Sequence, residues 1–162
     1  MGIAMSKGFA KQVGAWAKDI PEALEVVYKE SLQRLSHAAD DRLGEQLRSE
    51  QDKRKKAITN FLRSSAVMRI NQPLGDVTEP AKGGAYSPAE FDSTLASVKF
   101  GDSVTFGFTA VYAMRYHFGF SGVDSLGRNI NQPARPFLQL EAQNWQKHVE
   151  AAAKEVKARL KL

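Results

Sequence analysis

In PEALEVVYKESLQRLSHAADDRLGEQLR, residues 21–48, the apolar side chains fall at Leu24, Val27, Tyr28, Leu32, Leu35, Ala38, Ala39, Leu43 and Leu47. The steps are threes and fours, which line one face of an α-helix. The stretch therefore predicts one long amphipathic helix, and the rest of the chain must supply what its stripe packs on. Asp19 is placed to cap this helix, and Pro21 suits its first turn, where a missing amide hydrogen costs nothing. Glu22 and Glu25 suit the positive end of the helix dipole. Upstream, Phe9, Val13 and Trp16 recur at intervals of four and three. They predict a separate, shorter helix on the same core.

Past the helix the period changes. Ala66-Val67-Met68-Arg69-Ile70 is a short apolar run rich in strand formers, ended by Asn71-Gln72-Pro73. Residues 71–92 hold Pro73, Gly75, Pro80, Gly83, Gly84 and Pro88, too many breakers for a core element, so a long exposed loop suited to partner contact is expected there. Leu95 to Phe100 and Ser103 to Thr109 flank Gly101-Asp102, a hairpin signal. Val104, Phe106 and Phe108 share one face of the second arm, which should cover the long helix. Residues 119–133, with Gly119, Gly122 and Gly127, predict a second loop. A final helix is expected over 136–160, with Phe137, Leu138, Trp145, Val149, Ala152 and Val156 on its apolar side. The expectation is a single α+β domain over 1–162, with an antiparallel sheet of three or four strands packed on the 21–48 and 136–160 helices.

Composition fits one folded domain: 162 residues, 43% hydrophobic and 25% charged. No apolar run approaches the ~18 residues of a membrane span, and the Lys-bearing N-terminus does not resemble a secretory signal. Cysteine is absent, which removes disulfides, thiolate metal sites and cysteine nucleophiles. Net charge is +5, and the excess lies in residues 42–56 and 141–162. Its densest piece is Lys53-Arg54-Lys55-Lys56, which could face DNA phosphates, although four consecutive helical residues point around most of a circumference and no aromatic is interleaved to stack on bases.

Chemistry-bearing motifs are missing. There is no phosphate-binding glycine loop, nucleophile elbow or His-Glu-x-x-His. His37, His117 and His148 fall on different elements and make a poor metal set without cysteine. Asp40 and Asp41 point two ways from one helix. The chain reads as a non-enzyme with no cofactor and no metal.

Three segments carry a resemblance: Thr59-Asn60-Phe61-Leu62-Arg63-Ser64-Ser65, then Tyr112-Ala113 with Tyr116-His117-Phe118-Gly119, then Pro133-Ala134-Arg135-Pro136-Phe137-Leu138. In their order and spacing they resemble the tail-completion, or neck, proteins of long-tailed bacteriophages. That family carries a Thr-Gly-x-Leu-Arg-x-Ser segment, a Tyr-Ala with a following Gly, and an Ala-Arg-Pro-Phe-Leu helix start. Asn60 replaces the usual glycine, which Asn tolerates because it visits the left-handed region most readily among non-glycine residues. His117 stands where the family often has an acid.

The resemblance implies a virion structural protein: a homo-oligomeric ring at the head-to-tail junction, touching portal-side, neck and tail proteins, with genomic DNA passing through its lumen. It implies location in the virion neck, and in the host cytoplasm during assembly, with no membrane. Arg63, Tyr112, Arg135 and Phe137 are the expected interface residues. The planar forks of Arg63 and Arg135 suit bidentate carboxylate contacts, inside a subunit or across an interface. The alternative is a small basic nucleic-acid-binding protein acting through residues 53–56 and the C-terminal helix.

Overall fold

The computed structural model describes residues 7–54, 59–81 and 84–160, with side chains from Ile20 to Gln51 in the first of these stretches. Helix α1 (Lys7–Arg54) is continuous over 48 residues, a length of about 72 Å. The two helices expected on either side of Pro21 are thus one, and Asp19 is interior to it rather than a cap. Pro21 costs a helix one hydrogen bond and bends it, but it sits exposed. In the sequence the apolar positions stay in phase across it. Farther along, Ser31, Ser36 and Ala39 are completely buried on α1. The two serine hydroxyls donate to carbonyls of their own helix, Val27 at 2.6 Å and Gln33 at 3.0 Å. These small side chains let neighbouring elements come close.

A short helix α2 (Phe61–Ser64) follows Asn60, whose φ of 57° lies in the left-handed region, as its substitution for glycine predicts. Strand β1 (Ala66–Ile70) leads to the 71–92 segment, then helix α3 (Asp92–Ser97) and strand β2 (Val104–Phe108). The expected hairpin over 95–109 does not form. Its first arm is helical, because Phe91, Leu95 and Val98 bury themselves at intervals of four and three. The Gly101-Asp102 turn exists, with Gly101 at φ 99°, but it joins a helix to a strand. The partner of β2 is β1, antiparallel, in a register running from Ala66 opposite Phe108 to Ile70 opposite Val104. The face bearing Val104, Phe106 and Phe108 packs with Tyr28 and Leu32 of α1, as expected.

Residues 71–91 contain no helix or strand among those described, and most are exposed. They are nonetheless pinned along their length. Thr78 bridges to the backbone beside Ala110, its amide donating to Thr109 at 2.8 Å and its carbonyl accepting from Val111 at 2.9 Å. Leu74 lies over Gly107, where an added Cβ would meet it at 2.5 Å. The Tyr86 ring stands edge-on to Phe61 at 4.9 Å.

Helix α4 (Ala113–Phe118) then gives way to β3 (Phe120–Val123) and β4 (Asn129–Gln132). These two strands pair antiparallel, so the 119–133 segment is a hairpin, not the expected loop. Asp124 closes its turn by accepting amides of Leu126 and Arg128, each at 2.9 Å. The β architecture is two separate two-stranded sheets in place of one of three or four strands.

The C-terminal helix is broken once. Helix α5 (Phe137–Gln143) ends at Asn144, and α6 (Trp145–Leu160) starts immediately after. Both lie on α1, and the whole is an α+β fold with small antiparallel sheets against a long N-terminal helix and the C-terminal helices. The core has two parts. One joins Leu32, Ala66, Met68, Phe91, Leu95 and Val98. The other joins Leu43, Phe61, Leu62, Ala110, Ala113, Tyr116 and Phe137.

Candidate functional site

The second core cluster gathers all three segments that carry the resemblance. Phe61 and Leu62 come from the first, Ala113, Tyr116 and the half-buried Tyr112 from the second, and Phe137 and Leu138 from the third, all against Leu43 and Leu47 of α1. Phe137 is 1% exposed. Its ring meets Phe108 at 4.9 Å and His117 at 5.0 Å, both edge-on. Tyr112 lies 5.9 Å from Phe61, and burial pushes its phenol pKa up. Phe137, expected at an interface, is a core residue of the subunit. Burial on this scale leaves it no surface to offer a partner.

Backbone geometry explains why two of these segments meet. Gly119 has φ 80°, and an added Cβ there would lie 2.8 Å from both the Ala134 nitrogen and the Gln132 oxygen. Only glycine permits the chain after β4 to pass so near the end of α4. The Arg135 amide then donates to the His117 carbonyl at 3.0 Å.

Arg63 and Arg135 both spend their charge inside the subunit. Arg63 grips Asp40 of α1 with both arms of its fork, Nε at 2.8 Å from Oδ1 and Nη2 on Oδ2, and both side chains are 19% exposed. The guanidinium lies over Gly44, whose missing side chain makes room for it. Arg135 Nη2 is 2.8 Å from Glu50, and the same guanidinium covers the Tyr116 ring at 5.1 Å. Of the two options open for these arginines, the intrasubunit one is realised in both. They act as latches that hold the first and third of these segments onto α1, Arg63 through the two-armed contact that suits a planar fork. Asp40 and Glu50, the receiving carboxylates, carried no signal in the sequence, since pairing across such separations has no periodicity.

A third latch was not anticipated. Glu141 of α5 is buried and receives Arg42 of α1 through Nε at 2.7 Å and through Nη2, while His148 of α6 approaches its other oxygen at 3.3 Å. Burial alone would raise the Glu141 pKa, but the Arg42 hydrogen bond and charge, helped by His148, leave it below its ordinary value. The break at Asn144 lets His148 reach back to Glu141. His117 is itself buried, edge-on to Phe118 at 4.5 Å, and burial lowers its pKa. Its imidazole serves here as an aromatic packing group.

Sequence reasoning missed the surface outside this core. Val111, Met114 and Phe118 are 47%, 70% and 59% exposed. Their steps of three and four place them on one side of the α4 turn, and Val77 joins Val111 through the backbone bridge at Thr78. That spacing was available in the sequence, hidden because the motif residues Tyr112 and Tyr116 lie on the opposite side. Elsewhere on the surface His37, Asp40, Asp41, Glu90, Phe91 and Asp92 line an open acidic hollow of about 240 Å3. Lys53 and Arg54 close α1, but their side chains, and Lys55 and Lys56 altogether, lie outside the described residues. Among the described residues no helix is long and apolar enough to cross a membrane.

Comparison with family models, with curated proteins and with solved structures finds no match to this chain.

Proposed function

We propose that this chain is a head-to-tail joining protein of a tailed bacteriophage, a neck or tail-completion component that assembles as a ring between capsid portal and tail while the genome passes through the lumen. It acts as a structural part of the virion, not as an enzyme, and its partners are further copies of itself and the adjoining portal-side, neck and tail proteins. One observation carries the reading. The three segments that resemble the phage family converge on one core against α1, with Arg63 and Arg135 as its latches. A motif set scattered by chance has no reason to share a single packing centre.

The surface available for a head-to-tail contact is then the apolar strip of Val77, Val111, Met114 and Phe118. A patch of this kind suits the heterologous interface from which rings close. The test is particle assembly with the Met114→Asp/Phe118→Asp variant. Both positions are exposed, so the expected outcome is a normally folded protein, heads and tails each made, and few joined particles. Joined, infectious particles at parental yield would remove the ring contact from this face. Labelling the parent protein and finding it elsewhere than the junction would remove the neck reading itself. Steeply salt-dependent binding of the isolated protein to duplex DNA, with no ring, would favour the nucleic-acid-binding alternative.

A further inference from the structure

In an antiparallel pair, residues that exchange both hydrogen bonds with the partner strand alternate with residues whose amide and carbonyl point away from it. At the two ends of β1 the Thr109 amide donates to the Ser65 carbonyl at 2.9 Å and the Asn71 amide to that of Ser103 at 2.7 Å. Carried through the register, Val67 and Arg69 also bond to β2, so the amides and carbonyls of Met68 and Ile70 face the opposite edge. Among the described residues no backbone group pairs with that edge. The edge is recessed. Helix α3 packs on the Met68 face through Leu95, with Phe91 and Val98 at its ends. Its hydroxyl-bearing residues Ser93, Thr94 and Ser97 look toward the edge, and an open groove of about 350 Å3 lies between them and Met68, Arg69 and Ile70.

A second unpaired edge lies on the hairpin of β3 and β4. The Asp124 amide donates to the Arg128 carbonyl at 3.0 Å. By the same alternation Gly122 with Ile130 and Phe120 with Gln132 close the ladder, while Asn129 and Asn131 of β4 turn their amides and carbonyls outward. Both residues are exposed, and the hairpin has no third strand. Such an edge is a template for another strand, and a two-stranded hairpin gains stability by finding one.

We propose that β4 of one copy of this chain adds to β1 of the next, in the groove beside α3, so that the two small sheets join into one across the contact. The recess selects the occupant. A second β1 would bring its own α3, and two helices about 10–12 Å across cannot both stand at the edges of strands about 4.8 Å apart. An exposed hairpin strand carries no such helix. Polarity selects β4 over β3. With Met68 opposite Asn131 and Ile70 opposite Asn129, antiparallel, the outward groups of both strands meet, and residues directly opposite share a face. The Asn129 and Asn131 side chains then meet Ser93, Thr94 and Ser97, whereas β3 would set Val123 against those hydroxyls. Main-chain bonds give such strand addition its affinity, and the alternate side chains its specificity. Donor hairpin and acceptor groove are different surfaces, so the contact is head-to-tail and repeats into a ring or a filament. The apolar strip ends at Phe118 and the hairpin begins at Phe120, which places the strip on the donor side. The inference concerns self-association of the chain and does not rest on the neck reading.

This register sets Arg69 of one copy opposite Ile130 of the next in a non-hydrogen-bonded pair, with Cα atoms about 4.5 Å apart, inside disulfide reach. The chain has no cysteine of its own. Arg69→Cys and Ile130→Cys proteins, mixed and oxidised, are expected to give the mixed disulfide in clear excess over either homodisulfide. Arg69→Cys with Asn129→Cys, whose side chains lie on opposite faces of the joined sheet, should give no such excess. Sedimentation of the full parent chain over a hundredfold range of concentration is expected to show reversible association, and Asn131→Pro should abolish it. That proline removes only an amide that faces outward, at an edge where proline is tolerated, so circular dichroism should match the parent. A parent that stays monomeric at every concentration, homodisulfides in preference to the mixed Arg69→Cys/Ile130→Cys product, or undiminished association of Asn131→Pro would each overturn the proposal. Locating the labelled protein in a particle tests the neck reading alone.

Discussion

Leu43 and Leu24 are the same residue on the same helix, and they live in opposite conditions. Leu43 is completely buried, surrounded by Phe61, Leu62 and Phe137, and flanked by Asp40, Arg42 and Glu50, each tied to another element by an arginine bond. Leu24 is 43% exposed at the rim of an unfilled groove. Sequence periodicity treats the two alike. What separates them is how far each stretch of α1 is covered: α2, α4 and α5 close over Leu43, while around Leu24 the end of α6 and the turn after α3, held by Lys29 on the Ala96 carbonyl and Tyr28 on that of Asp102, leave an apolar groove open. One half of the helix is thus a finished core and the other an unfinished one.

The largest effect should come from the finished half. Phe137→Ala removes a ring packed edge-on by Phe108 and His117 at a site without solvent. Such truncations cost about 3–5 kcal/mol, so urea denaturation should show a subunit close to unfolded. A midpoint equal to the parent's would mean that the cluster around Leu43 is not the centre of stability. Trp145 is only half-buried, so Trp145→Ala should cost less than Phe137→Ala.

Next come the latches. Arg63→Ala leaves the Asp40 carboxylate in a site where it is 19% exposed, with its bidentate partner gone. A loss of about 1–3 kcal/mol is expected for stranding a polar group at that depth. Arg63→Lys should recover only part of it, since an ammonium cannot bridge both oxygens. If Arg63→Ala and Asp40→Ala prove additive in the double variant, the pair is not a latch.

These two predictions also mark where the sequence was legible. The 21–48 period located the helix, and the apolar spacing of 136–160 placed Phe137 on the packing side of the C-terminal segment, because both are patterns of local spacing. The 95–109 segment misled because Leu95-Ala-Ser-Val98-Lys-Phe100 satisfies a strand pattern and a helix pattern at once. Phe91, four residues before Leu95, breaks the tie, and its burial at 5% exposure decides for the helix. Residues 119–133 misled for a different reason: Gly119 and Gly127 sit at the bends of a hairpin, Gly122 lies within one of its strands, and those strands are too polar to read as strands. The acceptors Asp40, Glu50 and Glu141 had no sequence signature, since a carboxylate on a helix looks the same whether it faces water or an arginine.

Acid should loosen the finished half in two separable steps. Burial lowers the His117 pKa below its ordinary 6.5, so the unfolded chain takes the proton first. Stability is therefore full above about pH 6.5 and declines as pH falls below it. Glu141, lowered from 4.5, contributes stability that is present above about pH 4.5 and lost as pH falls through its folded value. Thermal midpoints measured from pH 7.5 to 3.5 should fall in both windows. His117→Phe should flatten the upper one alone. If that variant keeps the upper decline, another group is responsible for it.

The smallest effect belongs to the open half, and it sharpens the contrast most. Leu43→Ala should cost about 2–5 kcal/mol, as a buried leucine does, while Leu24→Ala should stay within about 0.5 kcal/mol, as exposed substitutions do. A Leu24 penalty as large as that of Leu43 in denaturation of the two variants would mean that the groove is filled within the subunit. The unfinished half of α1 would then be a core after all.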